Sequence, residues 1–175
     1  MRVFITVGTT EFDELISSLD SAEAADALVR LGATTVVLQV GRGVAVPQEL
    51  QAELERRGVS CSWFKFRDTL SEEMEAADLI ISHCGAGSVL EATNLRKLLL
   101  LVVNPTLQGN HQDELASAMK AGNYCFTSTP TTLLSTLRQI EANGGLRAAH
   151  SRLSPFPTSD PKAFPALVDS LFDWR

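Results

Sequence analysis

Basic residues are in short supply. The chain has 15 Lys and Arg against 21 Asp and Glu, a net charge of −6 and a pI near 5.0. A phosphate backbone has to be met by clustered cations, so this balance argues against nucleic acid as a partner. Cysteine is scarce as well. Cys61, Cys84 and Cys125 cannot all pair, and none stands in a C-x-x-C spacing. That points to a reducing compartment and away from a structural zinc site. Long apolar runs are missing. The longest, Leu98–Val103, is far short of the roughly 20 residues that cross a bilayer. The apolar run after Arg2 stops at Gly8, too soon for a signal peptide. The expectation is a soluble, cytoplasmic protein. There is neither a G-x-G-x-x-G nor a Walker loop, which weakens dinucleotide and ATP-hydrolase readings. No internal repeat stands out.

What is present is one domain's worth of chain: 175 residues, 45% hydrophobic, enough for a core without staples. Short apolar runs alternate with amphipathic segments. Strands are predicted at Arg2–Val7, Thr35–Val40, Val59–Phe64, Leu79–Ser82, Leu98–Val103 and Tyr124–Thr127. Continuous rather than alternating apolar strands suggest burial on both faces. Helices are predicted over Phe12–Leu31 (broken near Asp20-Ser21), Gln48–Arg57, Thr69–Ala77, Ser88–Leu95, His111–Ala121 and Pro130–Ala142. This alternation implies the α/β fold class, a Rossmann-like parallel sheet with helices on both faces. Residues 1–142 read as this domain. Residues 143–162, crowded with Gly, Ser and Pro, read as a linker. Residues 163–175 recover a helical stripe of Phe164, Leu167, Val168, Leu171 and Phe172, with Trp174 just beyond. That stripe docks either on this domain or on another chain.

Ligands of open parallel sheets bind at the carboxyl ends of the strands, and four loops there carry candidate residues. Gly8-Thr9-Thr10 precedes a helix and suits an oxyanion through backbone N–H groups; equally, Thr10 caps the helix. In His83-Cys84-Gly85-Ala86-Gly87-Ser88 the glycines admit close backbone approach, and Ser88 can donate to a phosphate. Glu91, one turn on, can accept from ribose hydroxyls. Ser88-x-x-Glu91 is also a capping box, and His83 alone reads as a packed histidine. Asn110-His111-Gln112 can hydrogen-bond sugar hydroxyls or simply open a solvated helix with Asn110 as its cap. Phe64-Lys65-Phe66 can wall a flat base, unless Trp63 and Phe66 are core.

VGTTEFDELI at Val7–Ile16, SHCGAGSVLEA at Ser82–Ala92, VVN at Val102–Asn104 and NHQDELA at Asn110–Ala116 occur in order, with Thr129-Pro130-x-x-Leu133 after them. Over residues 3–135 this set resembles the soluble subunit of the two-subunit UDP-N-acetylglucosamine transferase of dolichol-linked oligosaccharide assembly. That family is similar in turn to the donor-binding half of the bacterial lipid I GlcNAc transferase. The resemblance implies one half of a GT-B glycosyltransferase that holds UDP-GlcNAc. The pyrophosphate would lie at Gly8, Thr9, Thr10 and at Gly85, Ala86, Gly87, Ser88. Glu91 would take the ribose, Phe64, Lys65 and Phe66 the uracil, and Asn110, His111 and Gln112 the sugar. It implies no cofactor and no metal, since helix dipoles and backbone donors offset the leaving diphosphate. It further implies a membrane-anchored partner subunit carrying the acceptor site and the catalytic base. The chain itself would meet the membrane only through that partner, at the cytosolic face of the endoplasmic reticulum. A non-catalytic nucleotide-sugar-binding or interaction module with the same pocket is the alternative. Two positions depart from the family. Arg96-Lys97-Leu98 replaces Gly-Lys-Pro, which questions a turn normally capped by glycine, and Cys84 replaces Ala.

Overall fold

The computed structural model describes residues 1–104, 111–157, 162, 165, 166, 168 and 169. Six strands form one parallel sheet: β1 (Arg2–Thr6), β2 (Thr35–Gln39), β3 (Ser60–Phe64), β4 (Leu79–His83), β5 (Leu98–Val102) and β6 (Phe126–Ser128). Their spatial order is β3-β2-β1-β4-β5-β6. Ile5 of β1 lies between Leu38 of β2 and Ile81 of β4. The order reverses between β1 and β4, which opens a crevice at their carboxyl ends.

Successive side chains of a strand point to opposite faces, and this sheet feeds two cores. Val3, Ile5, Leu79, Ile81 and Leu100 face one layer of helices: α1 (Asp13–Leu19), α2 (Ala22–Arg30), α3 (Gln48–Arg56), α7 (Leu133–Ala142) and α8 (Gly145–Arg152). Phe4, Ile80, Leu99 and Leu101 face the other: α4 (Ser71–Ala76), α5 (Ala86–Asn94) and α6 (His111–Ala121). Burial on both sides explains why the strands read as unbroken apolar runs.

The break expected near Asp20-Ser21 separates α1 from α2: the Ser21 hydroxyl accepts from the Ala24 N–H at 3.2 Å as the N-cap of α2. The segment read as a linker differs from expectation. It contains α8, entered through Gly144 (φ 98) and Gly145 (φ 69), and Ala149 of that helix is buried in the first core. Its glycines mark a left-handed turn between two packed helices rather than a loose connection. In the tail, Val168 packs against the second core cluster. Phe164, Leu167, Leu171, Phe172 and Trp174 lie outside the described residues.

Candidate functional site

A cleft of about 500 Å³ opens at the crevice between β1 and β4. Gly8 and Thr9 form one wall, His83, Gly85, Gly87, Ser88 and Glu91 a second, and Phe66 through Leu70 a third. Its size is that of a small-molecule site.

The second wall begins at α5. Gly85 is the N-cap of this helix, in extended conformation, and no acid stands in the first turn. The leading N–H groups of a helix have no partner within it, and its dipole favours an anion there. A Cβ at Gly87 would meet nothing within 4 Å, so that face of the helix start is open to the cleft. Ser88 is the third residue of α5 rather than its cap, which removes the capping-box reading of Ser88 and Glu91. The Glu91 carboxylate instead accepts from the Ser71 hydroxyl at 2.7 Å and ties α4 to α5 beside the cleft.

His83 ends β4, buried, with its ring lodged between Gly8 and Gly85. A Cβ on Gly8 would stand 2.8 Å from Nε2, and one on Gly85 2.9 Å from Cε1. Burial lowers the His83 pKa below its ordinary 6.5, with the nearby Thr6 backbone offsetting part of the effect. Its buried Nδ1 makes no hydrogen bond of good geometry among the described residues. The ring is therefore held neutral, close beside both glycine loops. The expectation of a packed histidine holds for His83, but the packed ring is also part of the cleft wall.

Gln39 forms the floor, and sequence reasoning did not single it out. It is buried at the end of β2. Its amide nitrogen donates to the carbonyls of Gly8 at 2.5 Å and Lys65 at 3.2 Å, and its oxygen accepts from the Thr6 hydroxyl. Thr6 in turn accepts from the Gly8 N–H at 3.0 Å. One amide thus fixes the ends of three strands. A polar residue closing an apolar strand was the available signal.

The other candidates divide. Thr10 neither lines the cleft nor caps α1. Its hydroxyl donates to the Val7 carbonyl at 2.7 Å, and Phe12 stands at the N-cap. Ala86 is exposed at the start of α5 without lining the cleft. Phe64 also stands outside the lining. It packs on the second core beneath the Arg67 guanidinium, 3.9 Å from the ring centre. Lys65 contributes its carbonyl to Gln39 and no lining side chain. Phe66 does line the cleft, and it and Trp63 are exposed rather than core. Gln112 lies in the first turn of α6, away from the lining, with a buried Oε1 that has no partner among the described residues. Asn110 and the His111 side chain lie outside the described residues.

Arg67, next to Phe66, is held by Glu73 at 2.5 Å, and Arg2 pairs with the same carboxylate at 2.5 Å. Burial works to raise the Glu73 pKa, but the hydrogen bonds and charges of Arg2 and Arg67 carry it below its ordinary value.

The glycosyltransferase family 28 C-terminal domain model matches residues 2–159. The chain is 41% identical over 128 residues to the UDP-N-acetylglucosamine transferase subunit ALG13 of Mus musculus, covering 73% of this chain but 11% of that one. The subunit of the same name from Yarrowia lipolytica is 34% identical over 143 residues, 81% of this chain and 71% of that one. Among solved structures, an NMR solution structure of ALG13 superposes with a TM-score of 0.67 at 26% identity, covering 97% of this chain and 96% of that one. MurG of Acinetobacter baumannii shares the fold at a TM-score of 0.64 and 19% identity, over 97% of this chain and 49% of that one. The chain belongs to the family of glycosyltransferase family 28 C-terminal domains, with the UDP-N-acetylglucosamine transferase subunits as its relatives.

Proposed function

We propose that this chain is the donor-binding subunit of a GlcNAc transferase that moves GlcNAc from UDP-GlcNAc to GlcNAc-pyrophosphoryl-dolichol. The observation that carries the reading is the start of α5: an acid-free helix N-terminus, open at Gly87, that faces a cleft at the point where strand order reverses. A diphosphate fits there. The N–H groups around Gly87 and Ser88 would meet its charge. Glu91 would accept from the ribose hydroxyls, and Phe66 would cover the uracil. Gln112 and, by family resemblance alone, Asn110 and His111 would reach the sugar. On this reading backbone donors stabilise the leaving diphosphate, which makes the reaction metal-independent, and the family resemblance alone makes it inverting. The catalytic base and the acceptor site belong to a membrane-anchored partner, which makes the isolated chain a binder without turnover and places the working pair at the cytosolic face of the endoplasmic reticulum.

The test has two parts. Calorimetry should show UDP-GlcNAc binding that survives chelation of divalent metal, and Glu91→Ala should weaken it about tenfold or more, since hydrogen bonds to charged groups contribute about 1.5–3 kcal/mol. A reconstituted pair should then transfer GlcNAc to a lipid-pyrophosphate acceptor. Binding without transfer by any such pair would favour the non-catalytic module instead, and unchanged affinity in Glu91→Ala would remove the ribose assignment.

A further inference from the structure

The Glu91 carboxylate does not stand alone at the cleft. Glu91 follows Gly87 by one helical turn in α5, so the two share a face of the helix. Both line the cleft, and both also line a groove of about 380 Å³ that Ser71 of α4 borders from the other side. A glutamate side chain between these spaces has several rotatable bonds and room to swing.

A chain of hydroxyls reaches that carboxylate from the start of α4. The Ser71 N–H donates to the Thr69 hydroxyl oxygen at 3.1 Å, the Thr69 hydroxyl donates to Ser71 Oγ at 3.0 Å, and the Ser71 hydroxyl donates to Glu91 Oε1 at 2.7 Å. A carboxylate can only accept and a backbone N–H can only donate, so the proton of each hydroxyl is committed toward Glu91. The bonds of such a chain polarise one another, and the last, to a charged group, is the strongest. The other carboxylate oxygen, Oε2, carries no hydrogen bond among the described residues.

Ser71 has a fixed support of its own. Glu73, two residues on, is buried and bridges Arg2 at the start of β1 and Arg67 beside the cleft. Met74 is fully buried in the second core. A helix anchored in this way does not follow the Glu91 side chain, so the Ser71 hydroxyl is a stationary donor.

We propose that Ser71 is a positioning residue of the ribose site. It lines the groove and not the cleft, so it acts through Glu91 rather than on the nucleotide. It pins Oε1, which sets the plane of the carboxylate and leaves Oε2 to accept from the ribose hydroxyls. Thr69 in turn directs the Ser71 proton. The acid is oriented before the nucleotide arrives, so ordering it does not subtract from the binding free energy. The consequence is specificity: ribose is preferred to a sugar that lacks its hydroxyls. The proposal rests on the transferase reading, in which Glu91 takes the ribose.

Calorimetry on the full-length protein compares UDP with its dideoxyribose analogue, which lacks both ribose hydroxyls. The parent should prefer UDP about tenfold or more. Ser71→Ala should weaken UDP binding about fivefold and leave the affinity for the analogue unchanged, so the preference itself shrinks. Ser71→Thr keeps the hydroxyl and should keep the preference. Thr69→Val cuts the chain one hydroxyl earlier and should reduce the preference by a smaller factor. In a Glu91→Ala background, Ser71→Ala should change nothing further, because residues that act through one another are not additive. A purely structural role predicts equal losses for both ligands, or a lowered melting temperature with the preference intact. Either result overturns the proposal, as does a full additional loss in the Glu91→Ala background. A parent that binds UDP and its analogue equally removes the ribose assignment of Glu91 and the positioning role with it. A parent that binds no UDP removes the cleft reading as well. Discrimination by the parent that survives undiminished in Ser71→Ala overturns the positioning role alone.

Discussion

The imidazole of His83 and the missing side chain of Gly85 share one space: a Cβ at Gly85 would overlap Nε2 and stand 2.9 Å from Cε1. Gly85 has a negative φ, −89°, so it is required by close approach rather than by its dihedral. Gly87 is in the opposite position, with open space where a Cβ would go. The two glycines of one loop therefore predict different failures. Gly85→Ala has to displace a buried ring and should cost about 1–3 kcal/mol of stability as well as donor affinity. Gly87→Val should keep most of its stability, apart from the propensity cost of a β-branched residue in a helix, yet lose UDP-GlcNAc binding. Melting temperature and calorimetry on both variants separate the effects. Normal donor binding by Gly87→Val would show that nothing approaches the start of α5.

Acid should destabilise the protein in two windows. Burial depresses the His83 pKa below 6.5, so below that value the unfolded chain binds the proton more readily than the folded one. Stability is full above about pH 6.5 and falls as pH decreases toward the folded-state pKa. Glu73, its pKa lowered from 4.5 by Arg2 and Arg67 against the opposing effect of burial, contributes stability that is present above about pH 4.5 and is lost below it. Urea midpoints between pH 8 and about pH 3 should decline in both steps. In His83→Gln the upper step should vanish while the lower one remains. An unchanged upper step would assign it to another group.

Much of the fold is legible in the sequence because burial on both faces of a parallel sheet leaves a simple trace. Ile5, Ile81 and Leu100 sit in unbroken apolar runs, and each run lies within a residue or two of its strand. The helix α8 is obscured because Gly144 and Gly145, which read as breakers, instead form the left-handed entry to a packed helix. Glycine permits a turn without determining the element beyond it. In the cleft, motif spacing locates Gly8, Gly87, Ser88 and Glu91 by chain order. Gln39 and Arg67 escape such a reading because their partners, the Thr6 hydroxyl with the Gly8 and Lys65 carbonyls for one and the face of Phe64 for the other, are assembled only by the sheet.

Arg96 marks a place where a sequence-level doubt is answered. With Leu95 as the C-cap of α5, the Arg96 N–H bonds the Thr93 carbonyl at 3.0 Å and the Lys97 N–H bonds the Ala92 carbonyl at 3.0 Å. This is the glycine-type helix stop, formed with Arg96 at φ 52. The left-handed conformation costs an L-residue about 1–2 kcal/mol, and glycine would give back about 0.5–1 kcal/mol through its freer unfolded chain. Arg96→Gly should therefore stabilise the protein by about 0.5–1 kcal/mol. A lower denaturation midpoint in that variant would mean that the arginine side chain contributes more than the strain removes.

Gln39 offers the sharpest link between stability and binding. Its amide joins the ends of β1, β2 and β3 through Thr6, Gly8 and Lys65, all in or beneath the cleft. Methionine has nearly the same length and would fill the space, so Gln39→Met leaves little cavity. It removes the donor to two carbonyls and the acceptor for a buried hydroxyl. Unsatisfied buried groups cost about 1–3 kcal/mol each, and some relaxation toward water at Gly8 and Lys65 brings the expected total to about 2–4 kcal/mol. The Gly8 loop and the start of the Phe66–Leu70 wall would then lose their common anchor, and donor affinity should fall although Gln39 has no assigned ligand contact. Conservative replacement by Glu would not restore the function, because a carboxylate cannot donate to the two carbonyls. Denaturant midpoints and calorimetry on Gln39→Met and Gln39→Glu check this. A Gln39→Met protein that binds UDP-GlcNAc as tightly as the parent, at whatever stability, would show that the loops hold their geometry without the shared amide.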